Sequence, residues 1–145
     1  MKNYKMKKQQ GVGLIEVLVA VLILGTALLT LTSLQTRSLQ FNQSAYLRSQ
    51  ANILAYDILD RIRINRDQAD SYDFALTDTA PTGTSLRDKD LAQWLGIVSK
   101  ILPSGVGTVD CDSAKLCKVE VQWVEQAATL TSDNQTMVFS YTSQI

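Results

Sequence analysis

The chain opens polar and basic, then turns apolar from Val12 to about Leu31, a run broken by one carboxylate, Glu16. About twenty mainly apolar residues suffice to cross the hydrocarbon core of a bilayer as a helix. Beyond that run, Leu34, Phe41, Ala45, Leu47, Ala51, Leu54, Ile58 and Ile62 recur mostly at three- and four-residue intervals. That spacing predicts one apolar stripe on a continuing helix. Arg48, Asn52, Asp57, Asp60, Arg61 and Arg63 fall largely off the stripe. Asp57 and Arg61 stand four apart, a spacing at which opposite charges support an exposed helix face. No proline interrupts residues 1–79, so a helix is expected from about Gly13 to Asn65, roughly 80 Å long. Only half of it fits a membrane; the second half must pack on something.

Asp67 to Arg87 is polar, with Pro81 and Gly83, and reads as a long surface connection. Ser85-Leu86-Arg87-Asp88 is a capping-box-like helix start, with Asp where Glu is usual. Leu91, Trp94, Leu95, Val98, Ile101 and Leu102 then repeat at helical spacing until Pro103, predicting a short amphipathic helix with Trp94 in the core. Three strand signals follow: Val106 to Asp110, Lys118 to Glu125 and Met137 to Thr142. In the second, Val119, Val121 and Trp123 share one face, as in a sheet that covers the long helix. The third alternates less regularly around Val138, Ser140 and Tyr141. Thr131 to Gln135 is expected to turn the second hairpin.

Charge sharpens the picture. Lysines and arginines number 14, as do aspartates and glutamates, yet Lys2, Lys5, Lys7 and Lys8 crowd the first ten residues with no acid among them. A basic flank before an apolar span predicts a cytoplasmic N-terminus and a translocated remainder. That remainder is slightly acidic and gives no reason to expect nucleic acid as a partner. Cys111 and Cys117, the chain's two cysteines, then lie in an oxidising compartment, where a disulfide is expected. It would close a small ring at the first hairpin and stiffen that turn. Two cysteines do not complete a zinc site, and the spacing is not that of a C-x-x-C redox motif.

Catalysis finds no residues to work with. The chain has no histidine, hence no Ser-His-Asp or Cys-His set, and no phosphate-gripping loop or metal-ligand cluster. Gly105-Val106-Gly107 reads as a turn, and Asp110 and Asp112 as exposed turn carboxylates rather than calcium ligands. No catalytic residue, metal, cofactor or small-molecule substrate is expected.

Three readings of the N-terminus compete. One is a secretory signal cleaved near Gly25-Thr26-Ala27; another is an uncleaved anchor; the third is cleavage after Gly11, leaving the whole apolar helix on the mature chain. A carboxylate inside an apolar span costs roughly 2.5–3.5 kcal/mol at the helix centre, and is a functional hypothesis by default. Cleavage at Ala27 would discard Glu16 and leave it unexplained. The stretch Gly11-Val12-Gly13-Leu14-Ile15-Glu16-Val17-Leu18 resembles the class III signal of type IV pilins and type II secretion pseudopilins. That signal has a short basic leader ending in Gly and a glutamate fifth in the mature chain. Val12 and Gly13 depart from the usual Phe or Met followed by Thr or Ser; Gly11, Leu14, Ile15 and Glu16 match. Asp60-Arg61-Ile62-Arg63-Ile64-Asn65-Arg66 resembles the end of the long helix in PilV-type minor pilins, as does the Val119-x-Val121-x-Trp123 strand after a cysteine.

The resemblance implies an α+β pilin-like fold, a long N-terminal helix packed on a small antiparallel β-sheet. It divides the chain into a leader (1–11), a long helix (12–66; 12–32 transmembrane, 33–66 amphipathic) and a periplasmic head (67–145). It implies prepilin peptidase cleavage between Gly11 and Val12, N-methylation of Val12, and a Glu16 that registers an incoming subunit against an assembled one. Gly25 would either let the helix unwind or let helices pack closely. The implied function is a minor type IV pilin, a structural subunit of a tip complex that primes pilus assembly. Its partners would be other minor pilins, the major pilin and the inner membrane, which the N-terminal helix crosses once before the subunit joins the pilus. The competing functions are a type II secretion minor pseudopilin and a tip adhesin or surface-binding subunit.

Overall fold

A computed structural model describes residues 13–126 and 134–145. The chain falls into two units, dividing between Leu39 and Gln40, and helix α1 (Leu14–Ile64) contributes to both. Gly11, Val12 and the residues 131–133 expected in the second hairpin turn lie outside the described residues.

In the first unit the helix is exposed throughout, and its apolar side chains from Leu14 to Leu34 touch no core. The threonines of this stretch turn inward on their own backbone. Thr26 donates to the carbonyl of Ile23 at 2.9 Å, Thr30 to that of Thr26 at 3.0 Å, Thr32 to that of Leu28 at 2.9 Å and Thr36 to that of Thr32 at 3.1 Å. Hydroxyls bonded this way carry little of the usual penalty for polar groups in an apolar medium. The helix is continuous through Gly25.

The second unit is built on residues 40–64 of α1, whose buried positions are Leu47, Ala51, Leu54, Ala55, Ile58, Leu59 and Ile62. The expected stripe is corrected in two ways. Phe41 and Ala45 are exposed, so burial begins only at Leu47, and Ala55 and Leu59 join it. The reason is that two elements cover the helix, so the buried face is wider than a single stripe. One cover is α2 (Leu86–Ile101); its fully buried Trp94 donates its indole N–H to the Leu54 carbonyl at 2.9 Å. The other is an antiparallel sheet in the order β1-β2-β3 (Val106–Cys111, Leu116–Gln126, Asn134–Gln144). Val119, Val121 and Trp123 of β2 enter the core as their alternation predicts.

The third strand is longer than its signal. It pairs with β2 from Leu116↔Gln144 to Gln126↔Asn134 without a break, so Asn134 and Gln135 belong to the strand and not to the turn. Met137, Phe139 and Tyr141 face the core, while Val138 is 54% exposed. The first hairpin is closed as expected: Cys111 and Cys117 are cross-strand partners joined by a disulfide. So short a ring limits the unfolded chain by about 2 kcal/mol on the loop-entropy estimate.

The segment read as a surface connection is only partly one. Residues Arg66–Tyr72 form a 3-10 helix that buries Ala69 and Tyr72. Phe74 is also buried, and forms a two-bond bridge to Val109 on the edge of β1: its N–H donates to the Val109 carbonyl at 2.8 Å, and its carbonyl accepts the Val109 N–H at 3.0 Å. Helix α2 starts where the capping signal puts it, with the Ser85 hydroxyl accepting the Asp88 N–H at 3.1 Å. Aspartate is too short to complete the usual box. Its carboxylate accepts the Ser85 hydroxyl at 2.6 Å instead. The Ser85 hydroxyl and then the Arg87 guanidinium hold the Asp88 carboxyl below its usual range.

Candidate functional site

At the N-terminal end of α1, Glu16 sits in the first helical turn with its side chain exposed. Its backbone N–H donates to the Gly13 carbonyl at 2.9 Å. An acid there faces the positive end of the helix dipole. Around it Leu14, Ile15, Val17 and Leu18 are all more than half exposed. The site is therefore one charge on an otherwise apolar cylinder. Such a charge has no catalytic partner on its own helix; what it can do is meet an opposite charge supplied by another chain.

At the other end of α1, the arginines are struts. Arg61 donates to Asp57 at 3.2 Å and to Gln93 of α2 at 2.8 Å, and pairs with Asp90 at 3.5 Å. Arg63 donates to Asp60 at 2.7 Å and to Ser143 of β3 at 2.8 Å. Cations in the last turn also suit the negative end of the helix dipole. Their reach to α2 and β3 could not be read in the sequence. With Asp57, Asp60 and Asp90 against them, these two arginines leave little free positive charge for a nucleic acid.

Tyr72 belongs to the same cluster, donating to Asp90 at 2.8 Å and accepting from Asn65 at 3.2 Å. Burial pushes its hydroxyl above the usual tyrosine range; the Asn65 hydrogen bond opposes this, and the one to Asp90 adds to it. An unfolded tyrosine loses its proton near pH 10 or so, whereas the folded one keeps it to higher pH. The stability it lends is therefore full below the unfolded pKa and is lost as pH rises through the folded one. Tyr72→Phe should flatten the alkaline fall in stability, measured as the denaturation midpoint between about pH 9 and about pH 11.

Arg87 is the structural residue the sequence did not reveal. It donates to the Ser71 carbonyl at 2.8 Å, the Asp73 carbonyl at 2.9 Å and the Asp88 carboxylate at 3.0 Å. Asp73 in turn accepts the Cys111 N–H at 2.7 Å. Nothing in the spacing of these residues marks them, because the contacts run between segments distant in sequence.

A groove of about 580 Å³ on the head is lined by Phe41, Leu47, Val124 and Met137 among uncharged amides and hydroxyls, with Arg48 and Glu125 as its charges. Among the described residues no three His, Cys, Asp or Glu side chains gather as a metal site. Asp112 is a turn former: its carboxylate accepts the Leu116 N–H at 2.8 Å.

Residues 6–32 match the prokaryotic N-terminal methylation motif, and residues 33–93 match the family described as type IV pilin Tt1218. The two matches abut at the point where the apolar run gives way to the amphipathic half of α1. The chain is a type IV pilin. The pilin is thus a structural protein and not an enzyme, and its fold is the long N-terminal helix on a three-stranded antiparallel sheet that the resemblance implied. The methylation motif implies processing by prepilin peptidase, and it contains both Glu16 and the apolar helix. A prepilin with such a helix is consistent with residence in the inner membrane and then in a pilus. No curated protein and no solved structure matches the pilin.

Proposed function

We propose that this pilin is a minor subunit that primes pilus assembly within a tip complex of minor pilins. Prepilin peptidase cleaves between Gly11 and Val12, and the new amino group of Val12 is N-methylated. The mature chain crosses the inner membrane once, with its N-terminus at the cytoplasmic face and its head in the periplasm, before joining the pilus with other minor pilins and the major pilin. Glu16 then lies about 6 Å from the new terminus, at about 1.5 Å of rise per residue. It accepts the positive terminus of a neighbouring subunit and sets its register. The observation that carries this reading is the exposed first-turn carboxylate, surrounded by exposed apolar side chains. The Asp60–Arg66 helix end supports the pilus version over a type II secretion pseudopilin.

Intact mass and terminal sequencing of the protein extracted from membranes test the processing step. A chain beginning at Val12 supports it, and a start at Leu28 or Met1 overturns it. Quantification of the chain in sheared pili, together with pilus counts in a strain lacking it, tests the role. A small share of the fibre and a loss of pili support priming. A chain that forms the bulk of the fibre would be a major pilin, and one lost with normal pili but poor adhesion would be a surface-binding subunit.

A further inference from the structure

We propose that the outer edge of β3 is a docking edge, which takes an extended, uncharged segment of another polypeptide as a fourth strand of the sheet. A strand paired on one side leaves a row of backbone donors and acceptors open to any passing strand. Proteins ordinarily blunt such edges with lysine, proline, a bulge or a covering segment. The edge of β1 follows that rule, since Phe74 bridges to it at Val109. β3 does not follow it. Its sequence Asn-Gln-Thr-Met-Val-Phe-Ser-Tyr-Thr-Ser-Gln, residues 134–144, has no charged residue, proline or glycine. Its register with β2 runs through 11 residues without a bulge. The charges lie instead on the protected central strand, at Lys118, Glu120 and Glu125, where they guard nothing. Among the described residues no segment covers the edge.

The same strand states what its partner must be. The core-facing row of Met137, Phe139 and Tyr141 is only half buried, because the sheet ends beside it. A further strand with apolar residues at alternate positions would complete that cover. On the other face the row is Thr136, Val138, Ser140 and Thr142, all exposed, and it asks for uncharged neighbours. Main-chain hydrogen bonds would give the affinity and the alternate side chains the selectivity.

A second copy is a poor occupant. Along the head, Leu47 and Met137 share one groove, the rings of Tyr56 and Tyr141 are 4.7 Å apart, and Arg63 reaches Ser143 at 2.8 Å. Strand β3 therefore runs in the same direction as residues 40–64 of α1. Antiparallel pairing of two β3 edges about a two-fold axis would set the two helices in opposite directions. Copies along a fibre of single polarity are not related by such an axis. This step rests on the proposed assembly; the open edge does not.

The test uses the full chain in detergent micelles and, as probe, the blocked peptide of residues 134–144, a neutral alternating segment free of any membrane constraint. Amide exchange should slow at every second residue of β3, saturably, as peptide is added. Ser140→Lys with Thr142→Lys, both on the exposed face, should weaken the peptide at least about tenfold while leaving exchange in β2 unchanged. No slowing at peptide concentrations of about 1 mM, slowing elsewhere than β3, or equal binding by the lysine variant would overturn the proposal. So would a chain carrying Ser140→Cys that crosslinks to its own copy through that residue in intact cells, since the occupant would then be a second copy. Because exchange depends on neither processing nor pilus formation, a negative result here leaves the priming role standing, and the reverse also holds.

Discussion

Glu16→Ala should yield a chain of normal mature mass that stays in the inner membrane and is missing from sheared pili. The proposed cleavage site, between Gly11 and Val12, is left intact, and helical insertion gains from losing a charge that costs a few kcal/mol in lipid, about 2.5–3.5 at the helix centre. Membrane residence and processing therefore survive. What is lost is the one carboxylate among the exposed side chains of Leu14, Ile15, Val17 and Leu18, and with it the proposed partner of a neighbour's terminus. Glu16→Asp, shorter by one methylene, should retain part of the incorporation, and Glu16→Gln almost none if charge is what counts. Immunoblots of the sheared fraction and of membranes read all three. Wild-type amounts of Glu16→Ala in pili would remove the assigned role.

Trp94→Ala should be the most destabilising single change in the head, at about 3–5 kcal/mol for a buried aromatic reduced to a methyl. The indole fills the space between α1 and β1 and bonds the Leu54 carbonyl. Gly107 is the other half of that fit: a Cβ on it would stand 2.7 Å from Trp94 Cζ3 and closer still to Cη2. Gly107→Val should therefore destabilise the native chain by at least the 1–3 kcal/mol or so typical of overpacking. In the Trp94→Ala background the same change should cost much less, because the cavity receives the new methyls. Denaturation midpoints of the four variants in detergent measure the coupling. Simple additivity would mean that Trp94 moves aside freely and does not define the core.

The elements legible in the sequence are those whose signal is local. The long helix was visible because no proline breaks it, and α2 because Ser85 opens it and Pro103 closes it. β2 was visible because Val119, Val121 and Trp123 alternate cleanly. Phe41 and Leu47 look alike in a periodic count, yet burial depends on where α2 and the sheet begin to cover the helix, which is set by distant residues. Tyr72 and Phe74 were lost inside a polar segment for the same reason. Two aromatic side chains carry the packing there, and the many aspartates and serines around them mask it. β3 looks short in the sequence because Asn134 and Gln135 resemble turn residues; pairing along the whole of β2 overrides that preference. The N-terminal candidate rests on residue identity and spacing alone, since a carboxylate near the start of an apolar helix needs no tertiary context to be conspicuous.

Arg87 holds Ser71 and Asp73 against the start of α2, and Asp73 holds Cys111. The link between the long helix and α2 therefore presents two unequal parts to a protease. The part up to Phe74 is tied into the core by backbone bonds, and a turn at Ala75–Asp78 follows it. Only residues 79–84 run free of regular structure and backbone bridges. Limited digestion should nick the folded head within that stretch before anywhere else in the link. The two fragments should then stay together, since the sheet and the Trp94 contact both lie on the C-terminal side and grip α1 from there.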